Sequence, residues 1–338
     1  MQPFSYQRSG DARAAVRAAT RAGAAPPTEA PIQFIAGGTN MTDYMKLGVA
    51  RPEVLIDINE LGRQDYGRIE LEEGGLRLGA LVRMAEAQEH PKILADYPVV
   101  AQTLALAASQ QIRNMASLGG NVLQRTRCEY FRGTAFPCNK RNPGSGCAAL
   151  QGINREHAVL GTSEACIATY HGDFAQALIA LDATVETLGP GGRRQFRFSD
   201  LHRLPGETPN IETNLEPGEL ITFIRVPAGP HTRRSHYVKI RDRESYQFAV
   251  ASAAVALDLD GDTVRDARIA LGGLATVPWR AREAEAALRG KALDEEAALA
   301  AAEIAFAPAK PREHNAFKVA AGKQTLVRAL LETRAMQI

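Results

Sequence analysis

The placement of its cysteines constrains this chain more than any other feature. The 338 residues include four cysteines, Cys128, Cys138, Cys147 and Cys166, and all of them lie between positions 128 and 166. Four cysteines are few for a disulfide-stabilised scaffold, and a chain of this length can bury a core without one. Because the rest of the chain has no cysteine, this clustering indicates a functional site.

The spacing of the cysteines narrows the kind of site. Successive cysteines are separated by 9, 8 and 18 residues, without the C-x2-C pair that is typical of structural zinc. Four thiolates can hold either a zinc ion or an iron–sulfur cluster. Several bases nearby would partly balance the negative charge of such a cluster: Arg125, Arg127, Arg132, Lys140 and Arg141. We predict an iron–sulfur cluster, with a zinc site or two disulfides as the alternatives.

Two glycine turns are candidates for binding a diphosphate. The segment AGGTN (36–40) follows the apolar run PIQFI, and SLGGN (117–121) repeats its pattern of hydroxyl, glycine pair and amide. Glycines let the backbone approach a ligand and expose consecutive N–H donors. Neither segment is a G-x-G-x-x-G fingerprint or a P-loop, and each alone is more simply a turn. Asp173 is a third candidate, with a plain helix N-cap as its alternative.

Composition excludes several classes of protein. The chain is 45% hydrophobic and 23% charged with a net charge of +2, which gives no reason to expect nucleic acid as a partner. It has no run of about 18 apolar residues, so we expect no transmembrane helix. The N-terminal residues show no export signal. Taken alone, they predict a cytoplasmic protein.

Periodicity predicts an α+β fold. Strands are expected at PFSYQR, PIQFI, EVLIDI and ELITFIRV, and hairpins are centred on Glu73–Gly75 and Gly189–Gly192. Helical spacing follows several of them, as in DARAAVRAATRAG and DFAQALIALDA. The loop PAGPHTRRS marks a candidate domain boundary, after which a strand-rich stretch leads into alanine-rich helices.

Five segments taken in order resemble a known family. PIQFIAGGTNMTDYMK, QQIRNMASLGGNV, HGDFAQAL, ELITFIRVP and HYVKIRDRESYQFA are similar to successive signatures of the FAD-binding subunits of molybdenum hydroxylases, the xanthine dehydrogenase and carbon monoxide dehydrogenase group. GGLATVPWRARE (272–283) resembles a segment of that family's C-terminal domain. The resemblance implies a two-subdomain FAD-binding fold of the vanillyl-alcohol oxidase type at 1–228. A CO dehydrogenase flavoprotein-like C-terminal domain would follow at 229–338.

The resemblance also implies which residues contact FAD. Phe34 to Met41 would wrap the pyrophosphate and the second glycine turn would close on it. Asp173 would bond the adenosine end, Ile221 would pack on the ring system, and Lys239 would approach the isoalloxazine, where an ammonium group raises the reduction potential. No catalytic acid, base or nucleophile is expected. The implied contacts are Gln33, Phe34, Ile35, Ala36, Gly37, Gly38, Thr39, Asn40, Met41, Ser117, Gly119, Gly120, Asn121, Asp173, Ile221 and Lys239.

An insertion separates the second glycine turn from Asp173. In ordinary members of the family a short connection joins these elements, whereas here a segment at about 122–170 carries every cysteine. This segment is similar to the cluster-bearing loop of the flavoprotein subunits of bacterial periplasmic aldehyde oxidoreductases, and all four cysteine positions match. The resemblance implies a [4Fe–4S] cluster on Cys128, Cys138, Cys147 and Cys166, near the flavin. We interpret His157 and His171 as non-ligands.

The functional prediction is that of a middle subunit in a heterotrimer. A large molybdenum-cofactor subunit would oxidise the substrate, an aldehyde by resemblance. A small subunit with [2Fe–2S] clusters would pass electrons to the FAD of this chain, and an external acceptor would take them. The resemblance implies a periplasmic location by co-export with a signal-bearing partner. The alternatives are an independent flavin oxidoreductase and a non-catalytic, zinc-stapled interaction module.

Overall fold

The N-terminal part of the chain forms a parallel sheet. The computed structural model describes residues 1–21, 23 and 25–338. Its first elements are β1 (Ser5–Arg8), α1 (Ala12–Thr20), β2 (Ile32–Ile35), α2 (Met41–Leu47) and β3 (Val54–Asp57). The strand order is β1-β3-β2 and both pairings are parallel. Parallel neighbours require a crossover, and α1 and α2 supply these connections.

A second, antiparallel sheet follows with the helices that cover it. The elements before the cysteine segment are α3 (Asn59–Leu61), β4 (Ile69–Glu72), β5 (Gly75–Gly79), α4 (Met84–Glu89), α5 (Pro91–Asp96), α6 (Pro98–Ala105), α7 (Gln110–Met115) and α8 (Leu118–Val122). Those in and after it are α9 (Glu129–Arg132), α10 (Phe174–Ala180), β6 (Thr184–Gly189), β7 (Gly192–Arg197) and β8 (Leu220–Pro227). The strand order is β4-β5-β8-β6-β7. β8, the last strand of this sheet along the chain, therefore lies at its centre.

The third sheet belongs to the C-terminal region. It contains β9 (Ser235–Ile240), β10 (Ala251–Asp260), β11 (Thr263–Gly272) and β12 (Trp279–Arg280), in the order β12-β11-β10-β9. Three helices complete the region: α11 (Arg282–Leu288), α12 (Glu295–Phe306) and α13 (Phe317–Arg334). The α+β class predicted from the sequence is confirmed. The predicted boundary at residue 228 falls between β8 and β9, and none of the described helices has the length and apolar character that crossing a membrane requires.

The cysteine segment is anchored at its base by the C-terminal region. The Asn315 side chain donates hydrogen bonds to the carbonyls of His157 (3.3 Å) and Ala158 (3.2 Å). Lys318, which is 1% exposed, donates to the His157 carbonyl at 3.2 Å. Burial lowers the pKa of Lys318 to about 8. Residues far apart in sequence thus fix where the segment returns to the core.

The largest hydrophobic cluster lies between the second sheet and the helices α4, α6 and α10. Phe174, the first residue of α10, is fully buried in it. We expect Phe174→Ala to lower the free energy of unfolding by about 3–5 kcal/mol, because the cavity left behind adds to the lost transfer energy. Urea denaturation followed by circular dichroism measures this loss. The matched control Phe4→Ala removes a ring that is 39% exposed and should change the value by less than about 0.5 kcal/mol; equal effects would contradict the assigned core.

Candidate functional site

A long cleft runs between the first two sheets and the cysteine segment. The cleft and its open mouth contain about 1730 Å³ of empty space. Its walls come from the β2–α2 turn, the residues around α8, the cysteine segment and the loop before β8. Both predicted glycine turns therefore face one cavity.

The first glycine turn approaches its neighbour too closely for any side chain. A Cβ on Gly37 would collide with the carbonyl of Met115, and Gly38 adopts a left-handed φ of +76° that favours glycine. Among the described residues, nothing accepts a hydrogen bond from the N–H groups of Gly38, Thr39 or Asn40. The turn therefore presents free donors that suit an anionic group.

The second glycine turn has a different role. The Gly119 N–H donates to the Ala80 carbonyl at 2.8 Å, and the Gly120 N–H donates to the Ser117 hydroxyl at 3.3 Å. The Asn40 amide in turn donates to the Gly120 carbonyl at 3.1 Å. The two turns are joined by this bond, but the second one uses these donors within the protein, and a clasp of both turns on one diphosphate stays a prediction. It shapes the cleft, and the first turn offers the N–H groups.

Three charged side chains form a buried network in the cleft wall. Arg125 donates to Glu212 at 2.7 Å, and the Lys140 ammonium lies 3.6 Å from the same carboxylate. Burial by itself raises the pKa of Glu212, but the neighbouring positive charges outweigh it and hold the pKa below its usual range. Sequence reasoning missed Glu212 because no motif marks it. From the sequence, Arg125 and Lys140 were expected only as bases near the cysteines.

Most of the predicted FAD contacts line the cleft. These are Gln33, Phe34, Ile35, Ala36, Gly37, Gly38, Thr39, Asn40, Met41, Ser117, Gly119, Gly120 and Ile221. Asn121, Asp173 and Lys239 lie outside its lining. Asn121 donates to the sulfur of Met84 at 3.4 Å. Contact of each residue with FAD stays a prediction.

Asp173 and Lys239 form a buried ion pair. The Lys239 ammonium donates to the Asp173 carboxylate at 2.8 Å and to the Leu106 carbonyl at 2.9 Å. The Tyr237 hydroxyl donates to the other carboxylate oxygen at 2.6 Å. Asp173 at the adenosine end and Lys239 at the isoalloxazine therefore cannot both hold, and which of the two contacts FAD stays a prediction. Side chains that touch cannot serve opposite ends of one extended cofactor.

All four cysteines line one small cavity. The backbones of Cys138 and Cys147 pair in an isolated antiparallel β-bridge. Cys138 and Cys166 are buried. No disulfide joins these four. No group of three or more His, Cys, Asp or Glu side chains in the described ranges is close enough to hold a single metal ion. The four predicted cluster ligands nevertheless line one shared space.

The surroundings of the Cys128 and Cys166 thiols favour their protonated form. Burial raises the pKa of Cys128 to about 12 and that of Cys166 to about 11. Backbone N–H groups oppose this effect, as where Ala168 donates to the Cys166 sulfur at 3.4 Å. A metal centre supplies the positive charge that thiolates need in such a setting. His157 also lies here, with Nε2 3.1 Å from the Cys128 sulfur.

The cysteine cavity adjoins the cleft. Lys140 and Ala168 line both spaces, so the two cavities are neighbours, and the position of a cluster near the flavin stays a prediction. Arg132 forms a bidentate pair with Asp43 of α2, at 2.7 and 3.0 Å, and Arg127 donates to Asn40 at 3.0 Å. These two bases, predicted to balance cluster charge, instead tie the segment to the helix after the first turn.

Comparison of the sequence with known families finds two matches that together span the chain. Residues 2–229 match the family described as the FAD binding domain in molybdopterin dehydrogenase. Residues 236–333 match the family described as the CO dehydrogenase flavoprotein C-terminal domain.

Individual relatives agree with these matches. The chain is 46% identical to the aldehyde oxidoreductase FAD-binding subunit PaoB of Escherichia coli strain K12, over 99% of each chain. It is 30% identical to the carbon monoxide dehydrogenase medium chain of Afipia carboxidovorans, covering 81% of this chain and 79% of that one. A solved structure of carbon monoxide dehydrogenase from Hydrogenophaga pseudoflava superposes with a TM-score of 0.75 at 28% identity, over 99% and 98% of the two chains.

The buried Asp173–Lys239 pair yields a stability prediction. We expect Asp173→Asn to lower the free energy of unfolding by about 3–5 kcal/mol, because it leaves the Lys239 charge buried and unpaired. Urea denaturation checks this value. The matched control Asp260→Asn breaks a pair with Arg265 whose side chains are 68% and 58% exposed and should cost no more than about 1 kcal/mol. A loss no larger than that of the control would contradict the burial of the pair.

Proposed function

Because this chain belongs to the FAD-binding subunit family of the molybdenum hydroxylases, we propose that it carries FAD and a [4Fe–4S] cluster in an aldehyde oxidoreductase. The observation that carries the proposal is the position of the four cysteines. They line one cavity that shares wall residues with the cleft between the glycine turns. Identity of 46% over the whole chain with an aldehyde oxidoreductase FAD-binding subunit supports the substrate class.

The residues of the cleft fit FAD. The free N–H groups of Gly38, Thr39 and Asn40 would hold the pyrophosphate, where a side chain on Gly37 would displace the backbone. The buried network of Arg125, Lys140 and Glu212 offers charged and hydrogen-bonding groups to the remainder of the cofactor. The cleft thus offers N–H donors for the doubly charged pyrophosphate of FAD, and charged and polar groups for the longer parts of the cofactor on either side of it.

The residues of the cysteine cavity fit a four-iron cluster. Four thiols converge there, and N–H groups of the backbone point at sulfur in Cys128 and Cys166. Such hydrogen bonds stabilise thiolate charge and help to set the reduction potential of a cluster. When bound, FAD supplies one- and two-electron redox chemistry and the cluster supplies one-electron exchange.

The proposed enzyme is a heterotrimer. The relatives are named as subunits or medium chains of larger enzymes. We assign oxidation of the aldehyde to a large molybdenum-cofactor subunit, and delivery of electrons to a small [2Fe–2S] subunit. This chain binds the flavin, orients it and shields it from solvent, so that an external acceptor is reduced away from the substrate.

Anaerobic copurification with the partner subunits tests the cluster. We expect flavin absorption together with four iron and four sulfide in this chain, about the content of one cluster. Cys138→Ser should abolish the four-iron EPR signal, since it removes one of the four thiolate ligands. A complex with one zinc and no iron beyond that of the partner's [2Fe–2S] clusters, or a Cys138→Ser complex with unchanged iron and sulfide, would contradict the assignment. Turnover of a substrate by this chain alone would point to an independent oxidoreductase.

The first glycine turn gives a test of the FAD site. We expect Gly37→Ala to raise the Kd for FAD at least about tenfold, because the new methyl group must push the turn away from the Met115 carbonyl. Fluorescence titration of FAD-stripped complex measures this change. Gly74→Ala is the matched control, since a Cβ there meets nothing within 4 Å. Wild-type affinity in the Gly37 variant would overturn the placement of the pyrophosphate.

A further inference from the structure

We infer that the cysteine segment, residues 122–170, is a wall of the FAD cleft, and that the cluster it holds determines how tightly the chain retains FAD. This inference rests on the proposed function and extends it. It concerns a coupling between two cofactor sites of one chain. The link between them is Lys140.

The segment has little hydrophobic support of its own. No residue from 123 to 158 belongs to any of the hydrophobic clusters formed by the described residues. Its regular structure is limited to α9 and one 3-10 turn, Ala148–Leu150. The fully buried apolar side chains between positions 123 and 158 are those of Phe131, Ala149 and Ala158, so this stretch takes much of its fold from what its cysteines bind, as metal-dependent domains do. The conformation of this segment therefore depends on occupation of the cysteine cavity.

The same segment supplies a continuous part of the cleft. The residues that face the cleft from it are Val122, Leu123, Gln124, Arg125, Thr126, Lys140, Ala168, Thr169 and Tyr170. Tyr170 is fixed from the other side, since its N–H donates to the Ala275 carbonyl at 2.9 Å. Arg125 and Lys140 belong to the segment and reach across to Glu212, and Arg125 also lies over the ring of Phe131, 4.6 Å from its centroid, so the position of both depends on the segment.

Two cysteines lead directly into this wall. Lys140 follows Cys138 by two residues, and Ala168 follows Cys166 by the same interval. The Cys138 carbonyl accepts hydrogen bonds from the N–H groups of Arg141 (3.0 Å) and Asn142 (2.7 Å), which makes a tight turn around Lys140. A displacement of either cysteine is thus carried to a residue that faces the cleft.

Lys140 connects that turn to the opposite wall. Its ammonium donates to the Pro209 carbonyl at 2.9 Å and lies 3.6 Å from Glu212, and its side chain is 13% exposed. If Cys138 moves, Glu212 keeps its ion pair with Arg125 but loses the nearby ammonium group of Lys140. The loop before β8 also loses the hydrogen bond that Lys140 donates to the Pro209 carbonyl. The cleft then opens on the side formed by the segment. Retention of FAD falls as a result.

Fluorescence titration of FAD into stripped, copurified complex tests the coupling. Cys138→Ser should remove the four-iron EPR signal and raise the Kd for FAD at least about tenfold, the effect of losing one charge-assisted contact. Lys140→Met keeps all four ligands, so it should raise the Kd by a similar factor while the EPR signal persists. Lys140→Arg should restore most of the affinity. Lys310→Met, which changes an exposed lysine outside the cleft lining, is the matched control and should leave the Kd unchanged.

The outcomes separate this inference from the proposed function. Wild-type Kd values in both Cys138→Ser and Lys140→Met would overturn the coupling and leave the FAD and cluster assignments intact. A raised Kd in Cys138→Ser alone would overturn Lys140 as the link. A wild-type complex that contains no FAD, or no four-iron signal, would overturn the proposed function itself.

Discussion

The close approach of the two glycine turns is the constraint on which the cofactor region depends. Gly37 packs against the backbone of Met115 in a space that no side chain fits, and Asn40 donates to the Gly120 carbonyl. This contact fixes the parallel sheet against the helical layer of the second sheet. The cleft exists because the two layers meet at the turns and diverge beyond them. The other walls of the cleft, the cysteine segment and the loop before β8, lie beside this contact between the turns.

The cysteine segment is an addition that uses the same junction. Arg127 and Arg132 bind the helix that leaves the first turn, while Arg125 and Lys140 bind the loop before β8. An insertion of this kind is not a separate module on the surface. It closes one side of the cleft, and this arrangement places its thiols beside that cleft.

The sequence predicted those parts of the site whose chemistry is local. The glycine turns and the cysteine cluster are short patterns, and the structure brings each group together at one cavity. Pairings between distant residues carried no such signal. Glu212 has no motif around it, and the contact between Asp173 and Lys239 depends on how the third sheet packs against α10. The central position of β8 likewise follows from tertiary packing. The compartment and the individual FAD contacts stay predictions.

The anchoring of the cysteine segment by Asn315 and Lys318 also has a consequence for the order of assembly. The carbonyls that they bind lie about 160 positions earlier in the chain, and contacts so distant in sequence form late in folding. During synthesis the segment leaves the ribosome well before α13, with its four thiols exposed and its base open. The segment reaches its final shape only when the C-terminal helix docks. A cluster on the proposed ligands would therefore be inserted only after the end of the chain has docked, and a truncated subunit would present its cysteines without a finished site.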